Sequence, residues 1–492
     1  MSAAQSDAFT IGIDIGTTRV KAGVIAADGG VVDYFSRAYP TARRNAGIAE
    51  QDAHDWTRLI DEALEQFAPH ADNVAAIGLC SQVNTHVFVD ADLQPLMPAI
   101  IWQDTRATAQ AEELDARVST QQRMTWWGAP MPIDASHALS RMTWVSQTHQ
   151  DTWQQTRWVL LPKDFCIAHL TGQPITDGLS NIGLTGPDLT YVDGALDLVD
   201  GAAERLAPIK PVLGFAGNVS HGPFKGTPIA TCTMDAWTGL VGTGGVAKDT
   251  AGYLSGTSEI LGINSAQVHP TAGVIVFGQA HGVRLHAAPT QSGGASLQWL
   301  CNLFATTPVV LMEDVAKCDF DRPAPLFLPH LQGERAPLWN PALRGVFANL
   351  DHTSGRSDMG RAVLEGVAFS VRQALEALEA SAGADVKVMR GGGGGFQSDI
   401  WNQIRANVLG RKVDRVAVKD PGVIGAAGLA ACAAGHFHTL EDAFENLAVV
   451  DATYVPDAQA HARYEDVYAQ YLEAIDANAP INARLSQPPQ NG

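Results

Sequence analysis

The feature that most constrains this chain is a turn of glycine and hydroxyl residues that occurs twice, each time inside an alternating apolar run. Phe9, Ile11, Ile13 and Ile15 alternate with Thr10, Gly12 and Asp14, the period of a strand with one buried face. Gly16-Thr17-Thr18-Arg19 interrupts the run, Val20 to Ile25 resumes it, and Asp28-Gly29-Gly30 turns it into Val31 to Ser36. The spacing predicts an antiparallel three-strand meander with Asp14 on the face opposite the isoleucines. The device returns at Tyr253 to Ser265, where Gly256-Thr257-Ser258 divides two apolar stretches, with Val274 to Phe277 expected as the third strand. Each meander needs a sheet and helices of its own to bury it, so two related lobes are expected. A chain of 492 residues has room for both cores. A boundary within 242–249 gives an expected N-terminal lobe of 1–246 and a C-terminal lobe of 247–492.

Helical spacing of Trp56, Leu59, Ile60, Ala63, Leu64 and Phe67, after a capping pair of Asp52 and Asp55, predicts a helix, and Val74 to Leu79 reads as a strand. A second apolar stripe, Leu364, Val367, Ala368, Val371, Ala374, Leu375 and Leu378, predicts a helix packed on the second sheet. The tail from Asp451 reads as partly helical, then frayed at Pro488 to Gly492.

The formal net charge of -19 disfavours nucleic acid and anionic membranes as partners, since both are held chiefly by Lys and Arg. An anionic ligand therefore needs a local device such as helix N-termini or the N–H groups of glycine turns. Six scattered cysteines, with no C-x-x-C spacing, fit a reduced cytoplasmic protein in which they are small buried hydrophobes. The polar start, Met1 to Thr10, and the lack of an apolar run of about 20 residues predict a chain without a membrane span.

Four segments could carry chemistry. Glycine with two threonines offers N–H groups and hydroxyls to phosphate oxygens, and Asp14 beside them could hold a hydrated Mg2+; the bland alternative is a tight turn. Gly391 to Gly395, between strand-like Val386 to Met389 and a helix over Ser398 to Leu409, either lets a nucleotide approach the backbone or is a flexible loop. No G-x-x-x-x-G-K-[ST] element is present. Asp235, where a strand runs into a small-residue helix, is either a proton acceptor or a helix N-cap. The charges of Gly333-Glu334-Arg335 face a ligand or pair with one another.

In order along the chain, these segments resemble the FGGY family of carbohydrate kinases, xylulokinases most closely. The resemblance rests on Ile13-Asp14-Ile15-Gly16-Thr17-Thr18 with Lys21, Trp102-Gln103-Asp104-Thr105-Arg106 and Leu161-Pro162-Lys163-Asp164-Phe165. It continues through Asp235, Ser255-Gly256-Thr257-Ser258, Gly333 to Pro337, Gly345-Val346-Phe347 to Glu365-Gly366-Val367, and Gly393-Gly394-Gly395 with Trp401. It implies an α/β fold of two ribonuclease H-like lobes of the actin and hexokinase type, with ATP and sugar in the cleft between them. It also implies Asp14 near Mg2+, Thr17, Thr18 and Lys21 at the first phosphate turn, and Gly256 and Thr257 at the second. Gly394, Gly395 and Ser398 would surround the adenosine, and Asp235 would be the base that deprotonates the acceptor hydroxyl.

The sequence departs from that family where the sugar should bind. Val83-Asn84 stands where similar xylulokinases show Met-His and glycerol kinases show Arg-Glu, and Ala236 replaces the usual Asn or Gln after the base. Val83, Asn84, Trp102, Asp134, His137 and Trp237 are the candidate substrate contacts, Trp237 as an apolar wall. The expected substrate is a small sugar, a pentulose ahead of glycerol, erythritol or another short polyol. A homodimer is left open as the assembly. The reading from another class is a nucleotide-gated, chaperone-like ATPase built on the same two lobes.

Overall fold

A computed structural model describes residues 8–44 and 47–486, which form two compact units: the described residues up to 242 with 277–283 and 422–447, and 243–276 with 284–421 and 448–486. The expected features of residues 1–7 and of Pro488 to Gly492 lie outside the described residues.

The first unit is organised by a six-stranded sheet. β1 (Phe9–Ile15), β2 (Arg19–Ile25) and β3 (Val31–Ala38) form the meander expected from the alternation, antiparallel throughout. β4 (Val74–Ser81) adds parallel to β1, and β5 (Phe215–Asn218) and β6 (Pro228–Ala230) complete the order β5-β6-β4-β1-β2-β3. One face is covered by the helix Ala53–Phe67, which Asp52 caps by accepting from the His54 N–H, so its Trp56, Ile60 and Phe67 join the isoleucines of β1 in one core.

The helix Pro421–Ala433, in this unit from Gly422 onward, covers the other face, and glycines let it approach closely. A Cβ on Gly12 of β1 would stand 1.9 Å from the Val423 carbonyl oxygen, and one on Gly78 of β4 2.1 Å from that of Ala426. The alternating Gly12 and Gly78 are thus docking positions for a helix backbone.

The second unit repeats the plan. β7 (Thr250–Ser255) and β8 (Glu259–Asn264) form the second glycine hairpin. The third strand differs from expectation. β9, only Ile275–Val276 and exposed, lies at the sheet edge, and β10 (Leu285–Pro289) is the strand that pairs with β8. The sequence Leu285-His286-Ala287-Ala288-Pro289 alternates weakly, which hides it from a period-2 reading. β11 (Val388–Gly392) and β12 (Lys412–Val416) add in parallel beyond β7, followed by antiparallel β13 (Val450–Tyr454). The helix Arg356–Ala382 packs Val371, Ala374, Leu375 and Leu378 onto Ala251, Tyr253, Leu261 and Ile263 of this sheet, as the stripe predicts. The tail forms a long helix, Ala458–Leu485.

Among the described residues no single helix is long and apolar enough to cross a membrane. All six cysteines are free; Cys80, Cys166, Cys232 and Cys301 are buried, and Cys318 and Cys432 are half-buried.

Candidate active site

In the first unit, three charged groups influence one another: Asp14, Lys21 and Asp235. Asp14 and Lys21 are register partners across the β1–β2 hairpin, with Lys21 Nζ 3.5 Å from Asp14 Oδ2. Asp14 is 8% exposed and backs onto the first turn of the helix Pro421–Ala433, where a Cβ on Gly422 would meet Oδ2 at 3.0 Å. A helix N-terminus favours a carboxylate there. Asp235 opens the helix Asp235–Gly242 immediately after the buried segment Thr231 to Met234, and its own carboxylate accepts from the Ala236 N–H at 2.7 Å. Burial, and then the charge of Asp14, push its carboxyl up to about 7, against the opposing pull of Lys21.

The turn between β1 and β2 is presented outward. Thr18 is exposed and Thr17 half-buried. The turn closes with the Gly16 N–H donating to the Arg19 carbonyl at 3.1 Å, and the Tyr39 hydroxyl donates to the Gly16 carbonyl beneath it. Trp102 joins this turn to the loop after β4: its indole N–H donates to Thr17 Oγ1 at 3.0 Å and its backbone N–H to Thr85 Oγ1 at 3.2 Å.

That loop carries the residues that depart from the family pattern. Asn84 sits at φ 50 in the left-handed region that Asn tolerates, and its Nδ2 donates to Ser136 Oγ at 3.2 Å, whose hydroxyl donates to Asp134 Oδ1 at 2.7 Å. Val83, Asn84 and Ser136 are half-buried and Asp134 is exposed, so this polar string reaches solvent. Two other candidates do not. His137 is buried, caps the helix Ala138–Thr148 by accepting from the Leu139 N–H through Nδ1, and is pulled down to about 4 by burial. Trp237 is fully buried. Both are core residues, and neither offers surface to a ligand.

In the second unit the glycine turn and the glycine run meet. Gly256 is exposed and a Cβ there would have only the Ser258 carbonyl oxygen within 4 Å, at 3.9 Å; Thr257 is exposed, and Gly394 has nothing within 4 Å. The run Gly391 to Gly395 is ordered: its first two residues finish β11 and Gly394–Gln397 form a 3-10 turn. Gly395 approaches so closely that a Cβ would stand 1.9 Å from Ser255 Oγ. Ser398 caps the helix Asp399–Leu409 through the Trp401 N–H.

Sequence reasoning missed what holds these turns. Arg405, fully buried, donates to Ser255 Oγ at 2.7 Å and to the Gly395 carbonyl at 2.9 Å, tying the two glycine segments, while Ser255 donates to buried Glu259 at 2.9 Å. Burial raises Glu259 against the pull of Arg405. Arg141, also fully buried, donates to the carbonyls of Asn84, Ile100 and Ile101; burial lowers it to about 9. Lys163 lies 2.9 Å from Asp177, whose other oxygen accepts from Thr233 at 2.8 Å, two residues before Asp235. Burial opposes the charge on Lys163, but Asp164 and Asp177 outweigh it and hold it raised. No local pattern marks them as buried: Arg405 stands among Asn402, Gln403 and Asn407, Arg141 follows Ser140, and Lys163 precedes Asp164. Glu334 is likewise buried, accepting from the Gln291 and Arg335 N–H groups and from Ser292 and Ser370, beside His330 at 3.1 Å.

The two units carry related sheets, each with a glycine-hydroxyl turn presented outward, and comparison with known families places such a chain among the sugar kinases. The N-terminal domain of the FGGY family of carbohydrate kinases matches residues 9–242 and its C-terminal domain residues 251–434, and the chain belongs to that family. Its two-unit α/β fold is that of the FGGY sugar kinases, and it is a carbohydrate kinase.

The chain is 29% identical to the xylulose kinase of Escherichia coli (strain K12) over 92% of its length and 96% of that protein. It is 26% identical to the xylulose kinase of Bacillus subtilis (strain 168), over 97% and 98%. The gluconate kinase structure from Lactobacillus acidophilus superposes with a TM-score of 0.87 at 24% identity, over 97% of this chain and 99% of that one.

Proposed function

We propose that this kinase transfers the γ-phosphate of ATP in line to a hydroxyl of a ketose, a pentulose ahead of a short polyol, with Asp235 as the general base. The observation that carries the proposal is the placement of Asp235 at the head of the helix Asp235–Gly242, under the influence of the Asp14–Lys21 pair, where burial and Asp14 raise its carboxyl to about 7. A base with that pKa is ionised often enough to accept a hydroxyl proton at neutral pH and basic enough to draw it. The likeness to xylulose kinases over nearly the full chain supports the pentulose.

In this reading the N-terminal unit holds the acceptor and the base, and the C-terminal unit holds the nucleotide. Thr17, Thr18 and Lys21 with Gly256 and Thr257 bind phosphate oxygens; Gly394, Gly395 and Ser398 bind the adenosine end. The open space at Gly256 and Gly394 suits close approach of a ligand to the backbone. ATP brings Mg2+, which neutralises phosphate charge, and a single carboxylate such as Asp14 fits an ion that keeps most of its waters. Asn84 and Asp134, with Ser136 between them, orient the acceptor hydroxyls, with Val83 and Trp102 beside them. Ala236 removes an amide that would reach a hydroxyl, so the acceptor is recognised from the Asn84 side.

A phosphorylation screen with ATP and Mg2+ over pentuloses, hexuloses, gluconate and the three- to five-carbon polyols tests this. The expected result is highest kcat/KM for a pentulose. A preference for a polyol or for gluconate would overturn the acceptor assignment, and no acceptor above the ATPase background would overturn the whole reading.

A further inference from the structure

On the surface of the first unit, Asp61, His169 and His221 converge from three segments far apart in the chain. Asp61 lies on the helix Ala53–Phe67 and His169 on the helix Pro162–Thr171, while His221 follows β5. Both imidazoles present Nε2 to the same carboxylate: His169 stands 3.2 Å from Oδ1 and 3.0 Å from Oδ2 of Asp61, and His221 stands 3.6 Å from Oδ1. The rings meet edge to face at 5.1 Å between centroids, and one donor atom from each of the three residues lies within 4.8 Å of the others.

An ion pair explains this poorly. Exposed His–carboxylate pairs contribute little to stability. A shared cation would engage both imidazole nitrogens and the carboxylate at once. Around a tetrahedral ion with bonds of about 2.0–2.2 Å, donor atoms stand about 3.3–3.6 Å apart; His221 Nε2 already meets this at 3.6 Å from Asp61 Oδ1, and His169 Nε2, at 3.0 and 3.2 Å, would draw back by a few tenths of an ångström. Two imidazole nitrogens and one carboxylate favour Zn2+ and its neighbours over Mg2+ or Ca2+. The side chains of Asp61, His169 and His221 are 41%, 31% and 46% exposed, so the ion can enter and a water can complete its shell. His221 Nδ1 is 3.1 Å from Ser220 Oγ, the kind of outer contact that orients a ligating ring.

We infer that Asp61, His169 and His221 form a surface site for a divalent transition-metal ion of the zinc type, with three protein ligands and one open position. Such an ion would clamp the helices Ala53–Phe67 and Pro162–Thr171 to the segment after β5. It is separate from the Mg2+ that accompanies ATP, and binding to the folded chain alone would stabilise the unit by mass action.

The test is calorimetric titration of Zn2+ into the full-length, chelator-treated protein, alongside His169→Ala, His221→Ala and the double variant. The expected result is one saturable Zn2+ site per chain, weakened at least about tenfold in each single variant and absent in the double. Zn2+ should raise the melting temperature of the parent and not of the double variant, with sugar-kinase turnover equal in all four proteins. No saturable site in the parent, or an equal site in the double variant, overturns the inference. Because the substituted side chains are solvent-exposed, circular dichroism of the double variant separates lost ligation from lost folding.

Discussion

Lys21 Nζ lies 3.5 Å from Asp14 Oδ2 across a register pair of the first hairpin, and the same ammonium opposes the upward shift of Asp235. Lys21→Met removes that opposition while preserving a long apolar stem. The acidic limb of the kcat/KM profile should move to higher pH, so that activity falls more at pH 6 than at pH 8. A limb that stays in place would separate Lys21 from Asp235.

Asp235 also predicts how stability follows pH. In the folded chain its carboxyl is raised to about 7, against about 3.9 when unfolded. Between those values the folded state holds a proton that the unfolded state has released, so this group makes stability fall as pH rises through the window. Asp235→Asn removes the charge and should melt higher than the parent at pH 8, by about 2–4 °C for each kcal/mol relieved. The gap should narrow as pH falls to 5. Differential scanning calorimetry at the two pH values reads it.

Arg405 holds Ser255 and the Gly395 carbonyl together, with Glu259 behind them, all buried. Arg405→Met leaves Glu259 without its cation and should cost about 3–5 kcal/mol, whereas Arg405→Met with Glu259→Gln should recover part of that loss. In the double variant KM for ATP should remain raised, because the glycine segments lose their tie, while KM for the sugar changes little. Equal KM values in parent and double variant would make the network purely structural.

Thr233 connects the segment before Asp235 to the buried Lys163–Asp177 pair through a 2.8 Å hydrogen bond. Thr233→Val keeps the shape, removes the donor and should destabilise by about 1–3 kcal/mol. If the bond also positions the base, kcat should fall with KM little changed, and Thr233→Ser should restore it. Denaturant melts with steady-state kinetics separate the two effects.

What the sequence showed and what it hid follow from physics of different range. The first meander was legible because Phe9, Ile11, Ile13 and Ile15 alternate without a break and glycines mark both turns, all local signals. β10 was not, since Leu285–Pro289 is specified by pairing with β8 rather than by its own pattern. The expectation that Trp237 walls the acceptor and that His137 faces a ligand came from residue type. Burial, which only the tertiary packing decides, makes both core residues. Arg141 and Arg405 escaped notice because a buried cation is read from its partners, and those partners, Asn84 and Ser255, lie 57 and 150 positions away.

The most direct test of the account is turnover of Asp235→Asn, with the best acceptor from the substrate screen, saturating ATP and Mg2+, and folding verified by calorimetry. The side chain keeps its shape and loses its proton acceptor, so kcat should fall by roughly 10² or more, with KM for ATP near that of the parent. A variant that phosphorylates the sugar at the parent rate would contradict the assignment of Asp235 as the base.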